Sequence, residues 1–114
     1  MVTLIPASIV VVPFPFSDLS GTKLRPAVVL AETGHGDWLL CQITSNAYID
    51  PTAIRLTDAE LKKGTLNVIS YARPMKLFTA STDLIAKRVA ILNDTTFHLL
   101  LTTIIESLQQ NLPE

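Results

Sequence analysis

Short apolar runs separated by turn residues fill the chain as far as residue 92, and this spacing constrains the fold more than any other feature. Runs of this length, rich in β-branched residues and bounded by proline or glycine, are typical of strands. The predicted strands are SIVVVPF (8–14), RPAVVLAE (25–32), DWLLCQIT (37–44), TAIRL (52–56), LNVISYAR (66–73), PMKLFT (74–79) and DLIAKRVAIL (83–92). The turn TGHG (33–36) joins the second and third into a hairpin, and we expect these to be the central strands.

Three short segments interrupt or join the predicted strands. In TDAELKKG (57–64), Thr57 is a candidate N-cap with Glu60 three residues later, and Gly64 closes the segment, which predicts one or two helical turns. PFSDLSGTK (15–23) is rich in turn residues and predicts a loop. At Arg73 and Pro74, where two of the predicted strands meet, we expect a bulge or a bend.

The hydrophobic period changes after Asn93 and Asp94, which are both favourable helix N-caps. Apolar residues then recur at the spacing of an amphipathic helix, at Phe97, Leu100, Leu101, Ile104, Ile105 and Leu108. Polar residues lie on or beside the other side, at His98, Thr102, Glu106 and Gln109. Strands followed by one helix predict an α+β fold, in which the helix packs on an antiparallel barrel or strongly bent sheet. We expect residues 1–114 to form a single domain.

The composition limits the classes of partner. Hydrophobic residues make up 48% of the chain and charged residues only 17%. Because charged residues usually form about a quarter of a globular chain, this balance favours an oligomer in which a partner covers some of the surface. The formal net charge of -1 excludes the overall basic field of many nucleic-acid binders, so any site for a polyanion must be local.

Two features bear on the cellular compartment. Cys41 is the single cysteine, so no internal disulfide forms, and within WLLCQI it is predicted to be a small core residue. The N-terminal segment carries no charge before Asp18, but prolines interrupt it well short of a membrane-spanning length and no basic residues precede it. We therefore expect a strand there, no contact with a membrane, and a location in the cytoplasm.

Most motifs of enzyme chemistry are absent from the sequence. His35 and His98 lie far apart and have no cysteine or histidine at ligand spacing, which argues against a metal or another cofactor. SGTK (20–23) lacks the first glycine of a phosphate-binding loop, and no GxSxG elbow is present. His98 is predicted to be a solvated or capping residue rather than a base.

What remains is a set of hydrogen-bond donors at the ends of two neighbouring strands. Pro26 holds Arg25 extended at the start of one strand, and Thr44, Ser45 and Asn46 stand at the end of the next. In an antiparallel hairpin these two ends meet at one edge of the sheet. Taken alone, such an arginine is most often a solvated charge, and the hydroxyl residues are most often turn formers.

Three stretches of the chain carry a resemblance to a known family. VVVPFPFSDLSGTKLRPAVVL (10–30), LLCQITS (39–45) and SYARPMKLFT (70–79) occur in this order and spacing. From about Ile9 to Leu108, the chain thereby resembles the MazF/PemK family of toxins from type II toxin–antitoxin pairs. The resemblance implies a small SH3-like, PemK/CcdB-like barrel with a C-terminal helix. It also implies a homodimer that cuts single-stranded RNA without a metal and is neutralised by a cognate antitoxin with a disordered acidic segment.

Under this resemblance, Arg25 takes the position of the family's key arginine and Thr44 that of its key hydroxyl. The 2′-OH of the RNA would be the nucleophile, which gives 2′,3′-cyclic phosphate and 5′-OH ends. Arg25 and Thr44 would stabilise the charge that develops on the phosphoryl group, and Arg25 would also protonate the leaving oxygen. No general base is evident in the sequence.

Further residues are predicted to contact RNA around the reacting phosphate. Two aromatic rings are candidates for stacking on bases, with packing inside the barrel or dimer as the alternative. Basic residues are candidates for phosphate contacts, with solvated charges at a sheet edge as the alternative. The loop over 14–24 is expected to flank the groove. The predicted RNA-binding residues are Phe16, Lys23, Ser45, Asn46, Tyr71, Arg73 and Lys76.

The chain also departs from the family pattern. Ala7 and Ser8 replace a usual Gly-Asp pair, and Ala90 replaces a glycine, all at positions that look structural. Residues 70–72 are Ser-Tyr-Ala where some members carry a catalytic arginine or aspartate, so a second catalytic group is not identified. Two other functions stay open: a non-enzymatic CcdB-like toxin that binds DNA gyrase, and an inactive barrel that binds a protein. The tail SLQQNLPE (107–114) has no aromatic anchor for the first of these.

Overall fold

In the described part of the chain, seven antiparallel strands form a nearly closed barrel that carries one α-helix at its C-terminal end. The computed structural model describes residues 4–13, 23–46 and 50–114. The strands are β1 (Ser8–Pro13), β2 (Leu24–Gly34), β3 (Asp37–Thr44), β4 (Ile54–Leu56), β5 (Leu61–Gly64), β6 (Ser70–Ser81) and β7 (Lys87–Leu92), and the helix is α1 (Asp94–Gln109). The order across the sheet is β4-β6-β3-β2-β1-β7-β5. The predicted α+β barrel with a C-terminal helix is confirmed.

The hairpin of β2 and β3 lies at the centre of the sheet, as predicted. Its turn residues His35 and Gly36 have φ values of 57° and 79°. Two successive residues in the left-handed region make a tight turn whose twist matches that of the strands. The indole N–H of Trp38 donates to Thr82 Oγ1 at 3.0 Å, and the Thr82 hydroxyl donates to the Gly36 carbonyl at 2.8 Å. These contacts tie the hairpin end to the segment after β6.

The sheet buries apolar residues on both faces. The helix-side face is the one whose residues cluster with Leu100 and Ile104 of α1. On the central strands it comprises Ile9, Val28, Leu30, Cys41, Ile43 and Ala72. The far face carries a second cluster, with Val10, Val12, Ala27, Val29, Leu40 and Phe78. Because successive residues of a strand point to opposite faces, these two sets fix where each polar residue of the same strands points.

The segment 57–64 differs in part from its prediction. Thr57 caps a single 3₁₀ turn, Asp58–Glu60, and Glu60 completes the expected capping box. The prediction that helical structure could continue is wrong, because Leu61–Gly64 is strand β5 and pairs with β7. Pairing with a distant strand therefore overrides the local helical pattern. The strand predicted from residue 66 begins at Ser70.

Strand β6 contains the bulge that the Arg-Pro pair predicted. Its pairing with β3 moves from Leu77↔Cys41 directly to Ala72↔Ile43, so the segment 73–76 is looped out opposite a single residue of β3. The thiol of Cys41 donates to the carbonyl of Arg73 at 3.0 Å from beneath this bulge. Burial raises the pKa of Cys41 to about 12.

An ion pair holds the bulge in place from the other side. Arg73 Nε donates to Asp50 Oδ2 at 3.0 Å, and the two side chains are only 21% and 13% exposed. The guanidinium also reaches Gln42 Oε1 at 3.4 Å. Burial alone would raise the pKa of Asp50, but hydrogen bonds from Thr52 and Arg73 together with the charge of Arg73 lower it below its ordinary value.

Helix α1 begins after Asn93, whose side chain accepts from the N–H of Thr96 at 2.8 Å. Its buried positions are Thr96, Leu100 and Ile104, a single row four residues apart. The predicted apolar face is too wide, because Ile105 and Leu108 are each 52% exposed. Phe97 and Leu101 beside this row are partly buried against the same core, whereas Ile105 and Leu108 face away from it. No helix in the described ranges is long and apolar enough to cross a membrane.

Gly64 is a position where a side chain does not fit. Its φ is +85°, and a Cβ would lie 2.7 Å from Ala90 Cα and overlap the Val89 carbonyl. We expect Gly64→Ala to lower the free energy of unfolding by about 3 kcal/mol, since a clash adds to the strain of a left-handed residue. The measurement is urea unfolding. Gly34→Ala is the matched control, because its φ is +105° but nothing lies within 4 Å. Equal destabilisation by both variants would contradict the clash.

The Asp50 ion pair predicts a pH dependence of stability. The folded pKa of Asp50 is lowered, so its contribution is present above the unfolded pKa of about 4 and is lost as pH falls through the folded pKa. We expect Asp50→Asn to reduce the free energy of unfolding by about 2 kcal/mol at pH 7. The deficit should shrink below about pH 4. Urea unfolding across pH, with the exposed Asp37→Asn as control, measures this; a deficit that stays constant with pH excludes the charge as its cause.

Candidate functional site

A row of polar side chains crosses four neighbouring strands of the sheet. Arg25 and Thr44 lie two residues beyond the last hydrogen-bonded pair of the β2–β3 ladder, one on each strand. Thr44 pairs across the β3–β6 ladder with Tyr71. Tyr71 in turn pairs with Arg55 on β4. Arg25, Thr44, Tyr71 and Arg55 therefore form one line across β2, β3, β6 and β4, which we call the polar row.

The polar row lies on the far face of the sheet. Its members alternate along their strands with Ile43, Ser70, Ala72 and Leu56, which are buried, and with Ile54, which is partly buried against the helix-side cluster. Arg25 shares its face with Ala27, which belongs to the far-face cluster. All four side chains therefore project to the same side, where a single elongated ligand can contact them together.

Arg25 is half-buried rather than fully solvated. It pairs with Val12 of β1, and its Nε atom is shielded from solvent. The following residue, Pro26, restricts Arg25 to extended backbone geometry, as expected from the sequence. A guanidinium whose stem is held in this way keeps its planar fork of donors in a limited range of directions, which suits a phosphate.

Thr44 both forms a local turn and keeps a hydroxyl that can donate to a ligand. Its Oγ1 accepts from the N–H of Asn46 at 3.1 Å, so it does form a turn with its own backbone. A hydroxyl that accepts in this way keeps its hydrogen for donation to a ligand. The turn fixes the position of the oxygen, so the hydroxyl is oriented rather than free to rotate away. Ser45 and Asn46 follow as exposed residues at the strand end.

The structure brings together only part of the predicted RNA-binding set. Tyr71 is half-buried in the polar row, directly beside Thr44. Lys23 is exposed and immediately precedes β2. Arg73 lies close by, at the bulge, with its guanidinium engaged by Asp50 and Gln42. Lys76 is half-buried in the same bulge. Phe16 and most of the predicted flanking loop lie outside the described residues.

Sequence reasoning missed three residues of this region. Arg55 alternates with apolar residues in TAIRL, a pattern that could have placed it on the exposed side of a strand. Asp50 and Gln42 carry no comparable signal, since their contact with Arg73 joins residues that are 23 and 31 positions away in the chain. No group of three histidine, cysteine, aspartate or glutamate residues is assembled within 4–13, 23–46 and 50–114 in a way that could hold a metal.

The electrostatic balance of the region is positive. Arg25, Arg55 and Arg73 lie within neighbouring strands, and Asp50 is the carboxylate that pairs with Arg73. Chemically, the arrangement offers two guanidinium groups, one oriented hydroxyl and one aromatic ring along a single line. Such a set can bind a phosphodiester and place a neighbouring base against the ring.

Comparison with solved structures shows the same fold. An endoribonuclease in complex with its cognate antitoxin, from a mycobacterial species, has a TM-score of 0.73 and 10% identity, with 97% of this chain and 100% of that chain covered. MazE-MazF (Form-III) from Deinococcus radiodurans has a TM-score of 0.72 and 17% identity over 91% of this chain and 94% of that one. The Mycobacterium tuberculosis toxin MazF-mt6 has a TM-score of 0.69 and 17% identity, with 90% of this chain and 96% of that chain covered.

At these identities the structural likeness establishes the fold alone. A comparison with curated protein sequences gave no significant match. The family is established by a match between the sequence and a protein-family model. The model of the PemK-like, MazF-like toxins of type II toxin–antitoxin systems matches residues 6–108. Because this match spans nearly the whole chain, the chain belongs to the PemK-like, MazF-like toxin family.

Proposed function

We propose that this toxin is an endoribonuclease that cuts single-stranded RNA at specific sequences without a metal ion. The observation that supports the proposal is that Arg25 and Thr44 lie on the facing ends of β2 and β3, each two residues beyond the last pair of their ladder, and that Thr44 pairs with Tyr71. The RNA supplies its own nucleophile, so the protein has to orient the reaction and stabilise charge. We propose messenger RNA in the cytoplasm as the substrate.

The proposed reaction balances without a co-reactant. The 2′-oxygen attacks the adjacent phosphorus and loses its proton, the bond from phosphorus to the 5′-oxygen breaks, and that oxygen takes up a proton. The products are a 2′,3′-cyclic phosphate and a 5′-hydroxyl. Arg25 stabilises the extra negative charge on the phosphoryl oxygens and is the proposed acid for the leaving oxygen, while Thr44 donates a further hydrogen bond.

The reaction also needs a group that accepts the proton of the 2′-OH. Asp50 is the carboxylate near the bulge, but one of its oxygens accepts from Thr52 and the other from Arg73. These contacts lower its pKa, which makes it a weak base. We therefore propose that water takes this proton, and that the protein contributes mainly by orientation and by charge stabilisation.

We further propose that a cognate antitoxin neutralises the toxin by covering the polar row. Structures of related toxins with antitoxins adopt the same fold as this chain. A disordered acidic segment would complement the arginines of this region and fold on binding. A homodimer is proposed as the working form, because large apolar side chains remain exposed on α1, at Leu99, Ile105 and Leu108.

The proposed function predicts cleavage that depends on both central residues. Wild-type protein in excess EDTA should cut a long single-stranded RNA at a short recurrent sequence and leave 5′-hydroxyl ends. We expect Arg25→Ala and Thr44→Val each to slow cleavage by about a hundredfold or more, the usual effect of removing one donor to a transition-state anion. Arg25→Lys should restore part of the rate, because it keeps the charge but lacks the planar fork.

Matched controls separate chemistry from folding. Thr79→Val removes an exposed hydroxyl from the same sheet, on β6, and should cleave at the wild-type rate. Circular dichroism and unfolding curves establish that each variant is folded. The proposed site is wrong if folded Arg25→Ala cuts as fast as the wild type. If the folded wild type cuts no RNA, the proposal of an enzyme is replaced by that of a binding protein.

A further inference from the structure

The polar row continues beyond the residues that the proposed reaction uses. Arg55 occupies its far end, on β4, directly opposite Tyr71. Strands β2, β3, β6 and β4 are consecutive neighbours in the sheet. Since neighbouring strands lie about 4.8 Å apart, the backbones at Arg25 and Arg55 are separated by three such steps, or about 14 Å. This is longer than one nucleotide and fits within the sites of about four nucleotides found on small barrels that bind single strands.

The side chain of Arg55 is exposed, and its surroundings leave it available to a ligand. Within the described ranges its guanidinium makes no hydrogen bond or ion pair. Arg73 differs in this respect, because Asp50 engages it. An exposed arginine at the end of the polar row is placed to bind a phosphate oxygen, because arginine side chains commonly contact phosphates.

Glu60 is a carboxylate that feels the charge of Arg55 and has to be considered. Glu60 Oε1 accepts from both the N–H and the hydroxyl of Thr57, at 2.6 and 2.7 Å. These bonds lower the pKa of Glu60, and the charge of Arg55 contributes to the same shift. Glu60 is therefore held by its role in the capping box, at a distance from Arg55 that influences it without forming an ion pair.

We propose that Arg55 binds a second phosphate of the RNA backbone, beyond the one that is cleaved, and that the strand crosses the sheet along the polar row with one base against Tyr71. This inference rests on the proposed function for its substrate class. It assigns a path to the bound RNA, which crosses the β-strands between β2 and β4. Arg55 takes no part in bond breaking and contributes to affinity and positioning.

The test uses an RNA whose reacting nucleotide lacks the 2′-OH, so that binding is measured without cleavage. Affinity is determined by fluorescence anisotropy over a series of salt concentrations for the wild type, Arg55→Gln and Arg55→Lys. The logarithm of the binding constant falls linearly with the logarithm of the salt concentration. For single-stranded RNA, loss of one phosphate contact makes this slope less steep by about 0.7. We expect this reduction in Arg55→Gln and its recovery in Arg55→Lys. Lys87→Gln, which removes an exposed charge from β7, is the matched control and should leave the slope unchanged.

Cleavage kinetics and substrate length make the test specific. Arg55→Gln should raise KM about tenfold with kcat within about twofold of the wild type, as for a group that binds ground state and transition state alike. When the RNA is shortened one nucleotide at a time from one end, the difference between Arg55→Gln and the wild type should vanish at a defined length.

The outcomes separate this inference from the proposed function. If the wild type cleaves RNA but Arg55→Gln has the salt slope of Lys87→Gln, the second phosphate site is wrong and the nuclease stands. If the wild type binds RNA with the expected loss in Arg55→Gln but does not cut it, the second phosphate site on the polar row stands. The proposal of a nuclease is then wrong. If the wild type does not bind RNA, both are overturned.

Discussion

The pairing register of β2 and β3 is the constraint on which the rest of the structure depends. It is set by a turn in which both His35 and Gly36 adopt positive φ, together with two register shifts in the ladder, between Val29 and Ala31 and between Glu32 and Gly34. A slip of one residue would move every side chain of a strand to the opposite face of the sheet. Cys41 and Ile43 would then leave the core beneath α1, and Thr44 would be buried there instead. The hydrophobic core and the polar row are therefore two consequences of the same register.

The sequence allowed the central part of the fold to be predicted because the relevant signals are local. The hairpin follows from turn residues between two apolar runs, and the nearness of Arg25 to Thr44 follows from the hairpin. The capping box at Thr57 and the bulge at Arg73 likewise depend on residues close together in the chain. In each case the physical preference lies in a few consecutive residues and survives in the folded protein.

What could not be predicted depends on contacts between distant parts of the chain. Residues 61–64 follow a helix cap but become a strand because β7 offers hydrogen-bond partners. The role of Arg73 changes once Asp50 is brought beside it, since a guanidinium paired with a partly buried carboxylate holds the bulge together. Arg55 joins the site only through the pairing of β4 with β6. Ile105 and Leu108 show the converse, because an apolar pattern on a helix does not reveal how wide a surface will cover it.

The buried thiol beneath the bulge makes the state of this region observable by chemistry. Cys41 donates to the carbonyl of Arg73, and its high pKa leaves almost no thiolate at neutral pH. Alkylating and oxidising reagents attack the thiolate, so they react with Cys41 only after strands β3 and β6 separate. The chain thus contains a natural reporter of local opening at the edge of its site. The rate of thiol modification then measures how often that part of the sheet opens, and a ligand that holds the strands together slows it.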